Sequence, residues 1–329
     1  MSLRACPNSV KVIPLTEADP DALRDCWNRC YPSKFSITAE IVRLNILHHP
    51  LTISNLSFAL IEEDNPVSVR AFVCFKRSAH NRLFAGDHPD QLHLSAMAFR
   101  HKADMDLLSG HVNRIETPPK SKLVFGQDHG HLLPGIPTDA TNIREWLISY
   151  HWSVSDEKEF DLERDLAGFK ASTSAHESIA NSNAQVRRAT PADDRAIEDF
   201  FSETFPGRWQ YDTLHLKCRS QQEWSDVFLL LMGERVHGFA YTQTFHSTKE
   251  PVAGCVWHTS LGENWGGLGP IGISKDVRGM GLGGALLEVA LAELAQAGVR
   301  NCIIDWTTLA DFYGKYGFRV TRTYEKAVY

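Results

Sequence analysis

From Val12 to Phe35 the chain reads VIPLTEADPDALRDCWNRCYPSKF, and its apolar positions change period part-way. A short apolar run, which predicts a strand, gives way after Thr16 and Asp19 to apolar residues at three- and four-residue spacing, the signature of a helix with one buried face. Thr16 is the candidate N-cap, because its hydroxyl can accept from a helix N–H that has no partner of its own. The helix is expected to stop at Tyr31-Pro32, since proline cannot continue it and the residue before proline avoids helical geometry.

The same plan returns later at a constant offset of 174. Val186–Trp209 reads VRRATPADDRAIEDFFSETFPGRW, with Thr190, Asp193, Ile197, Phe201, Pro206 and Trp209 under Thr16, Asp19, Leu23, Trp27, Pro32 and Phe35. A second match, at offset 166, lays Trp146–Val154 over Phe312–Val320, each a short aromatic helix running into a last strand. The two matches predict two lobes of one α/β (α+β) fold: residues 1–170, a linker at 171–185 rich in Ser, Ala and Asn, and residues 186–329.

The second half carries the chemistry. A strand near Leu268–Ser274 leads into Arg278-Gly-Met-Gly-Leu-Gly-Gly284, followed by an amphipathic helix from Ala285 to Ala297 that Gly298 ends. Glycines remove the Cβ atoms that would keep a phosphate from backbone N–H groups, and the helix N-terminus adds unpaired donors and a positive dipole end. A Walker loop is excluded, because no Gly-Lys-Ser/Thr follows. By spacing alone a dinucleotide fingerprint survives: Gly279-x-Gly281-x-x-Gly284 has Asp305 21 residues further on.

Arg278-Gly-Met-Gly-Leu-Gly283, the buried strand Asn301–Trp306 and the ending Phe312-Tyr-Gly-Lys-Tyr-Gly-Phe318 together resemble the GNAT superfamily of N-acetyltransferases. The resemblance covers about 145 residues of the chain. It implies a tandem GNAT fold, with a mixed central sheet flanked by helices in each lobe. It implies acetyl-CoA as co-substrate, with the pyrophosphate on Arg278, Gly279, Met280, Gly281, Leu282, Gly283 and Gly284 and the pantetheine along Ile271, Gly272 and Ile273. Tyr313 would protonate or hydrogen-bond the departing thiolate. For the base that frees the amine, Asp305 leads, with Glu263 and His258 as alternatives. The corresponding stretch of the first half, Leu94–Leu107, has no glycine cradle, and Leu147 stands where Tyr313 does. That lobe is therefore expected to have lost cofactor binding.

Phe205-Pro-Gly-Arg-Trp209 and Asp305-Trp-Thr-x-Leu-x-x-Phe-Tyr resemble a subgroup that includes glucosamine/glucosaminide N-acetyltransferases and GNAT lobes fused to β-N-acetylglucosaminidases. This implies an amino-sugar acceptor, with Arg208, Trp209, His258 and Trp265 as substrate contacts. Aromatic faces stack on sugar rings and charged groups bond hydroxyls. Another small amine, such as an aminoglycoside or a biosynthetic intermediate, would keep the mechanism and change the pocket. A non-catalytic acetyl-CoA sensor is the alternative from another class.

Bulk properties narrow the rest. A formal charge of −6, with no basic stripe, argues against nucleic acid. Seven scattered cysteines without a CxxC pair argue against a disulfide framework and fit a reducing cytoplasm. Cys26 and Cys30, four apart, read as one helix face, and Asp128-His-Gly-His131 as a surface turn, so no metal is expected. No apolar window reaches the ~20 residues of a membrane span. A monomer or homodimer in the cytoplasm acting on a small-molecule amine is the expectation.

Overall fold

A computed structural model describes residues 9–78, 91–112, 122–212, 224–247 and 250–329. Cys6 and Cys218 lie outside them. The chain forms two compact units. One takes the described residues up to Glu159 together with Arg322–Tyr329, and the other takes Phe160–Thr321. The last strand in each half of the sequence thus contributes residues to both units.

The first unit contains β1 (Val10–Pro14), α1 (Pro20–Cys30), α2 (Ala39–Val42), β2 (Phe58–Glu62), β3 (Asn65–Arg77), β4 (Leu92–Phe99), α3 (Lys102–Val112), β5 (Leu123–Phe125), β6 (Ile136–Pro137), α4 (Thr141–Ser149) and the start of β7 (Ser153–Asp165). Strands β1 to β4 pair antiparallel in sequence order, and β4 pairs parallel with β5 over Leu92–Leu94. The chain's C-terminal residues complete this unit. Val328 pairs with Val124, Tyr324 with Pro137, and the buried guanidinium of Arg322 donates to the Lys34 carbonyl at 2.6 Å. Asp19, not Thr16, caps α1, accepting from the Ala22 N–H at 2.9 Å. Thr16 falls in the short 3-10 turn Leu15–Glu17 that separates β1 from the helix, so the cap passes to the next short polar side chain.

The second unit contains the rest of β7, α5 (Thr173–Asn181), β8 (Ala184–Arg188), α6 (Asp194–Thr204), helical residues 208–212 (α7), β9 (Val227–Met232), β10 (Arg235–Thr244), α8 (His258–Leu261), β11 (Trp265–Ile273), α9 (Leu282–Gln296), β12 (Asn301–Thr307), α10 (Ala310–Gly314) and the start of β13 (Arg319–Val328). Its sheet runs β8-β9-β10-β11-β12-β7, antiparallel except for the parallel β11–β12 pair. Strands β1 and β8, and helices α1 and α6, sit 174 residues apart at both ends, the offset of the sequence repeat.

Helix α9 covers one face of this sheet and buries Leu282, Leu286, Leu287, Leu291 and Leu294. Each such side chain contributes about 1.5–3 kcal/mol relative to exposure. Helix α6 covers the other face with Ile197, Phe200 and Phe201 against Phe239 and Tyr241. At the start of α6 the Thr190 amide and hydroxyl donate to Asp193, which also pairs with Arg187 at 2.7 Å. Residues 171–185, a linker by composition, hold α5, which Ser172 caps and which packs on α9. The amide of Ser172 donates to Glu288 of α9 at 2.7 Å.

Candidate active site

The site begins where two parallel strands part. Strands β11 and β12 pair only over Trp265–Gly267 and Asn301–Ile303. Past Gly267, β11 stays bonded to β10 and β12 to β7, so a cleft opens between β11 and β12. A bulge marks the same place. Ala240 pairs with Ile271 and Thr242 with Leu268, leaving Tyr241 of β10 opposite both Gly269 and Pro270. A bulge bends the strand and re-aims its side chains.

Residues 274–281 join β11 to α9. The first bond of the helix runs from the Ala285 N–H to the Gly281 carbonyl at 3.0 Å, so the N–H groups of Leu282, Gly283 and Gly284 have no partner within the helix. Gly279 and Gly281 take φ of +83° and +77°, a left-handed backbone that other residues rarely adopt. Gly284 answers a different need: a Cβ there would lie 2.1 Å from the Tyr316 hydroxyl. Arg278 to Gly281 are exposed, and Met280 is 42% exposed. An open turn of glycines ahead of a helix, beside a splayed strand pair, fits a pyrophosphate with an extended pantetheine arm. With such a group bound, Arg278–Gly284 would face the phosphates, and Ile271, Gly272 and Ile273 the arm.

Along β11, Ile271 and Ile273 pack with the α9 core, whereas a Cβ on Gly272 would meet Phe205 at 2.7 Å and Trp209 at 2.9 Å. The Phe205–Trp209 segment therefore lies on the face opposite α9. There Arg208 stacks its guanidinium over Trp306 of β12 at 4.5 Å and pairs with Asp212 at 3.3 Å. One short segment thus touches both parted strands, Trp209 on β11 and Arg208 on β12.

Asp305 is half-buried and follows the buried part of β12, Cys302–Ile304. A Cβ on Gly254 would lie 3.0 Å from its Cβ, and one on Gly269 would lie 3.7 Å from its Oδ1, so the backbone packs close against this residue only because glycines stand there. Trp306 follows at φ +44°, its N–H donating to the buried carboxylate of Asp161 at 3.1 Å. Tyr313 of α10 is buried. Burial pushes its phenol up to about 12, and the nearby Asp305 charge adds to the rise.

The structure brings Asp305 and Tyr313 into one electrostatic neighbourhood. The other sequence candidates lie elsewhere in the unit. Glu263 is exposed in the turn before β11. By strand register it stands six residues from the level of Asp305, about 20 Å along the sheet. His258 and Trp265 pair with each other, ring centroids 5.9 Å apart, at the closed start of β11. The His258 Nδ1 lies 3.3 Å from the Cys255 carbonyl, and burial lowers its pKa. Three residues near the site were not singled out from sequence. Tyr316 reaches the first turn of α9, Ser178 of α5 lies at Gly281, and Tyr241 lies beside Asp305 in a small cavity. Tyr316 stood within a quoted motif, whereas Ser178 and Tyr241 carry no local signal.

In the first unit only Arg100 and His101 join β4 to α3. Past the end of the β4–β5 ladder the Tyr31 hydroxyl donates to the Met97 carbonyl at 2.8 Å, and the Asn142 amide to the Phe99 carbonyl at 3.0 Å. Leu147 is buried. The Asp128 turn is no surface feature: Asp128 and Lys76 are fully buried and paired at 2.7 Å. The ammonium at that distance holds the carboxyl well below the usual range despite burial, which opposes it. Among the described residues no group of three or more His, Cys, Asp or Glu side chains is placed to hold a metal. No helix among them is long and apolar enough to cross a membrane.

Comparison with known proteins agrees with this geometry. Residues 233–320 match the family model described as acetyltransferase (GNAT) domain. Over 99% of its length the chain is similar to a solved structure described as a GCN5-related glucosamine N-acetyltransferase region in a fungal multi-domain GH3 β-N-acetylglucosaminidase, with a TM-score of 0.81 and 17% identity. The chain spans 38% of that protein. It is also similar to a GCN5-related N-acetyltransferase from Sphaerobacter thermophilus, with a TM-score of 0.62, 12% identity, and 98% and 96% of the two chains covered. A tandem GNAT protein from the clavulanic acid biosynthesis pathway gives a TM-score of 0.61 and 13% identity, with 98% of each chain covered. No curated protein sequence matches the chain. At these identities the structural likeness speaks to fold, and the family match to the domain that holds the glycine loop and the parted strands. Residues 233–320 are a GNAT acetyltransferase domain, within a chain that has the tandem GNAT fold.

Proposed function

We propose that the second unit transfers an acetyl group from acetyl-CoA to the primary amine of a small molecule, and that the amine belongs to an amino sugar such as glucosamine. The observation that supports the transfer is the glycine turn at the head of α9 beside the parted strands β11 and β12, with Asp305 on β12 and its charge felt by the buried Tyr313. When bound, acetyl-CoA supplies an activated acyl group. The residues of the chain do the rest. Backbone N–H groups at Leu282–Gly284 hold the phosphates, and the open edge of β11 orients the arm. Asp305 accepts a proton from the ammonium, because only the free amine has a lone pair for attack. Tyr313, held protonated by burial, donates a hydrogen bond to the sulfur as negative charge develops there.

Support for a sugar comes from the wall on the acceptor face. Trp209 is 37% exposed over β11, and Arg208 is stacked on Trp306 beside Asp305. A rigid aromatic face next to a charged fork suits a polyhydroxylated ring. The fungal structure with a similar fold is described as a glucosamine N-acetyltransferase region, which agrees with this reading. The test is release of free CoA thiol from acetyl-CoA in the presence of glucosamine, polyamines, aminoglycosides or peptides, with the product identified by mass. The expected result is glucosamine acetylated on nitrogen. Turnover of polyamines or peptides without amino sugars would remove the sugar and leave the acetyltransferase. No turnover with any amine, despite acetyl-CoA binding, would favour a sensor.

A further inference from the structure

Tyr241 is 6% exposed, and its hydroxyl has no hydrogen-bond partner. A buried phenol without a partner forfeits the bonds it had in water, so a hydroxyl left in that state calls for a reason. Its position supplies one. Tyr241 stands at the β11 bulge and lines a small cavity with Asp305, Gly254, Gly267 and Gly269. Room is left at Gly269, where a Cβ would meet nothing nearer than the Asp305 Oδ1 at 3.7 Å, whereas Gly254 and Gly267 are packed against Ile303 and Cys255. The roof is held firmly: Gln243 donates to the Glu250 carbonyl at 2.8 Å and accepts from the Val252 N–H at 3.0 Å. Burial, with Asp226 and then Cys255 adding to it, pushes the Tyr241 phenol up, so at neutral pH it is a donor in search of an acceptor.

We propose that Tyr241 and Asp305 form a two-point subsite for a 1,2-amino alcohol, Asp305 taking the amine and Tyr241 donating to the oxygen of a hydroxyl on a neighbouring carbon. This rests on the amine-acetylating reading above and names the chemical class that the same site selects. Glucosamine, with hydroxyls on both carbons beside its amine, belongs to that class. Discrimination by such a subsite is strong because an analogue lacking the hydroxyl leaves the phenol buried and unpaired in the complex.

The experiment compares wild type and Tyr241→Phe on glucosamine, its 3-deoxy analogue and its 1-deoxy analogue. The expected result is a loss of about 10–100-fold in kcat/KM on glucosamine and no further loss on the one analogue that lacks the bonded hydroxyl. Acetyl-CoA affinity should be unchanged by calorimetry. The melting temperature should hold or rise, because the variant removes an unsatisfied buried hydroxyl. A role in packing alone would instead give a lower melting temperature and equal losses on all three acceptors. If Tyr241→Phe loses nothing on glucosamine, or loses the same factor on every analogue, the subsite is wrong while the acetyltransferase reading stands. If wild type acetylates other amines but no amino sugar, the amino-sugar acceptor and the subsite fall together while the acetyltransferase reading stands.

Discussion

In the proposed reaction the Tyr313 phenol faces the leaving sulfur, and its burial lets the expected effect be sized. Its pKa is pushed up to about 12, while an ordinary thiol titrates near ~8.5. Complete transfer of the phenolic proton to the thiolate is therefore uphill by about 3.5 units, or ~5 kcal/mol at 1.36 kcal/mol per unit. A hydrogen bond that strengthens as the sulfur gains charge needs no such transfer. Bonds to charged groups contribute about 1.5–3 kcal/mol, so Tyr313→Phe should lower kcat by about 10–150-fold. The Michaelis constant and calorimetric affinity for acetyl-CoA should change little, because the bond matures only in the transition state. Stopped assays of thiol release across pH would test this. Ionisation of Tyr313 should cause no loss of rate below about pH 11, because the neutral phenol persists to its raised value in the folded protein. An unchanged kcat, or an alkaline limb near pH 9 that vanishes in Tyr313→Phe, would refute the argument.

Three other outcomes are expected. Asp305→Asn should cut kcat/KM at neutral pH and recover in part at high pH, where free amine no longer needs a base; equal activity to wild type at every pH would move the base elsewhere. Acetyl-CoA should bind once per chain, because in the first unit the Met97 and Phe99 carbonyls already hold Tyr31 and Asn142, and calorimetry giving two equivalent sites would contradict this. Lys76→Met should destabilise the first unit by about 3–5 kcal/mol, since it removes the ammonium paired with the fully buried carboxylate of Asp128, and Lys76→Met with Asp128→Leu should regain most of that in denaturant titrations. A single variant as stable as wild type would deny the pair any structural part.

Much of this protein was written locally. The two-lobe plan was legible because a strand and an amphipathic helix each have their own period, so β1-α1 and β8-α6 could be aligned 174 residues apart without any knowledge of contacts. The glycine turn was legible for the same reason. Left-handed backbone and bare N–H groups at a helix start are properties of a few successive residues, as at Gly279 and Gly281.

What depends on strands meeting across the sheet was out of reach. Asp305, Glu263 and His258 could each be named as a base from the sequence, with Asp305 leading, but their distances from the cleft could not. The β11–β12 register sets Asp305 at the cleft, Glu263 about six residues away along the sheet and His258 beside Trp265. No local pattern marks Tyr241, because a buried strand tyrosine looks the same whether or not its hydroxyl finds a partner. Composition made residues 171–185 a linker, yet α5 packs on α9 and carries Ser178 to Gly281. Asp128 looked like a surface turn until a lysine 52 residues earlier in the chain was folded against it. In each case the deciding quantity is a pairing between distant residues, and burial, charge and hydrogen-bond satisfaction take their values only once that pairing exists.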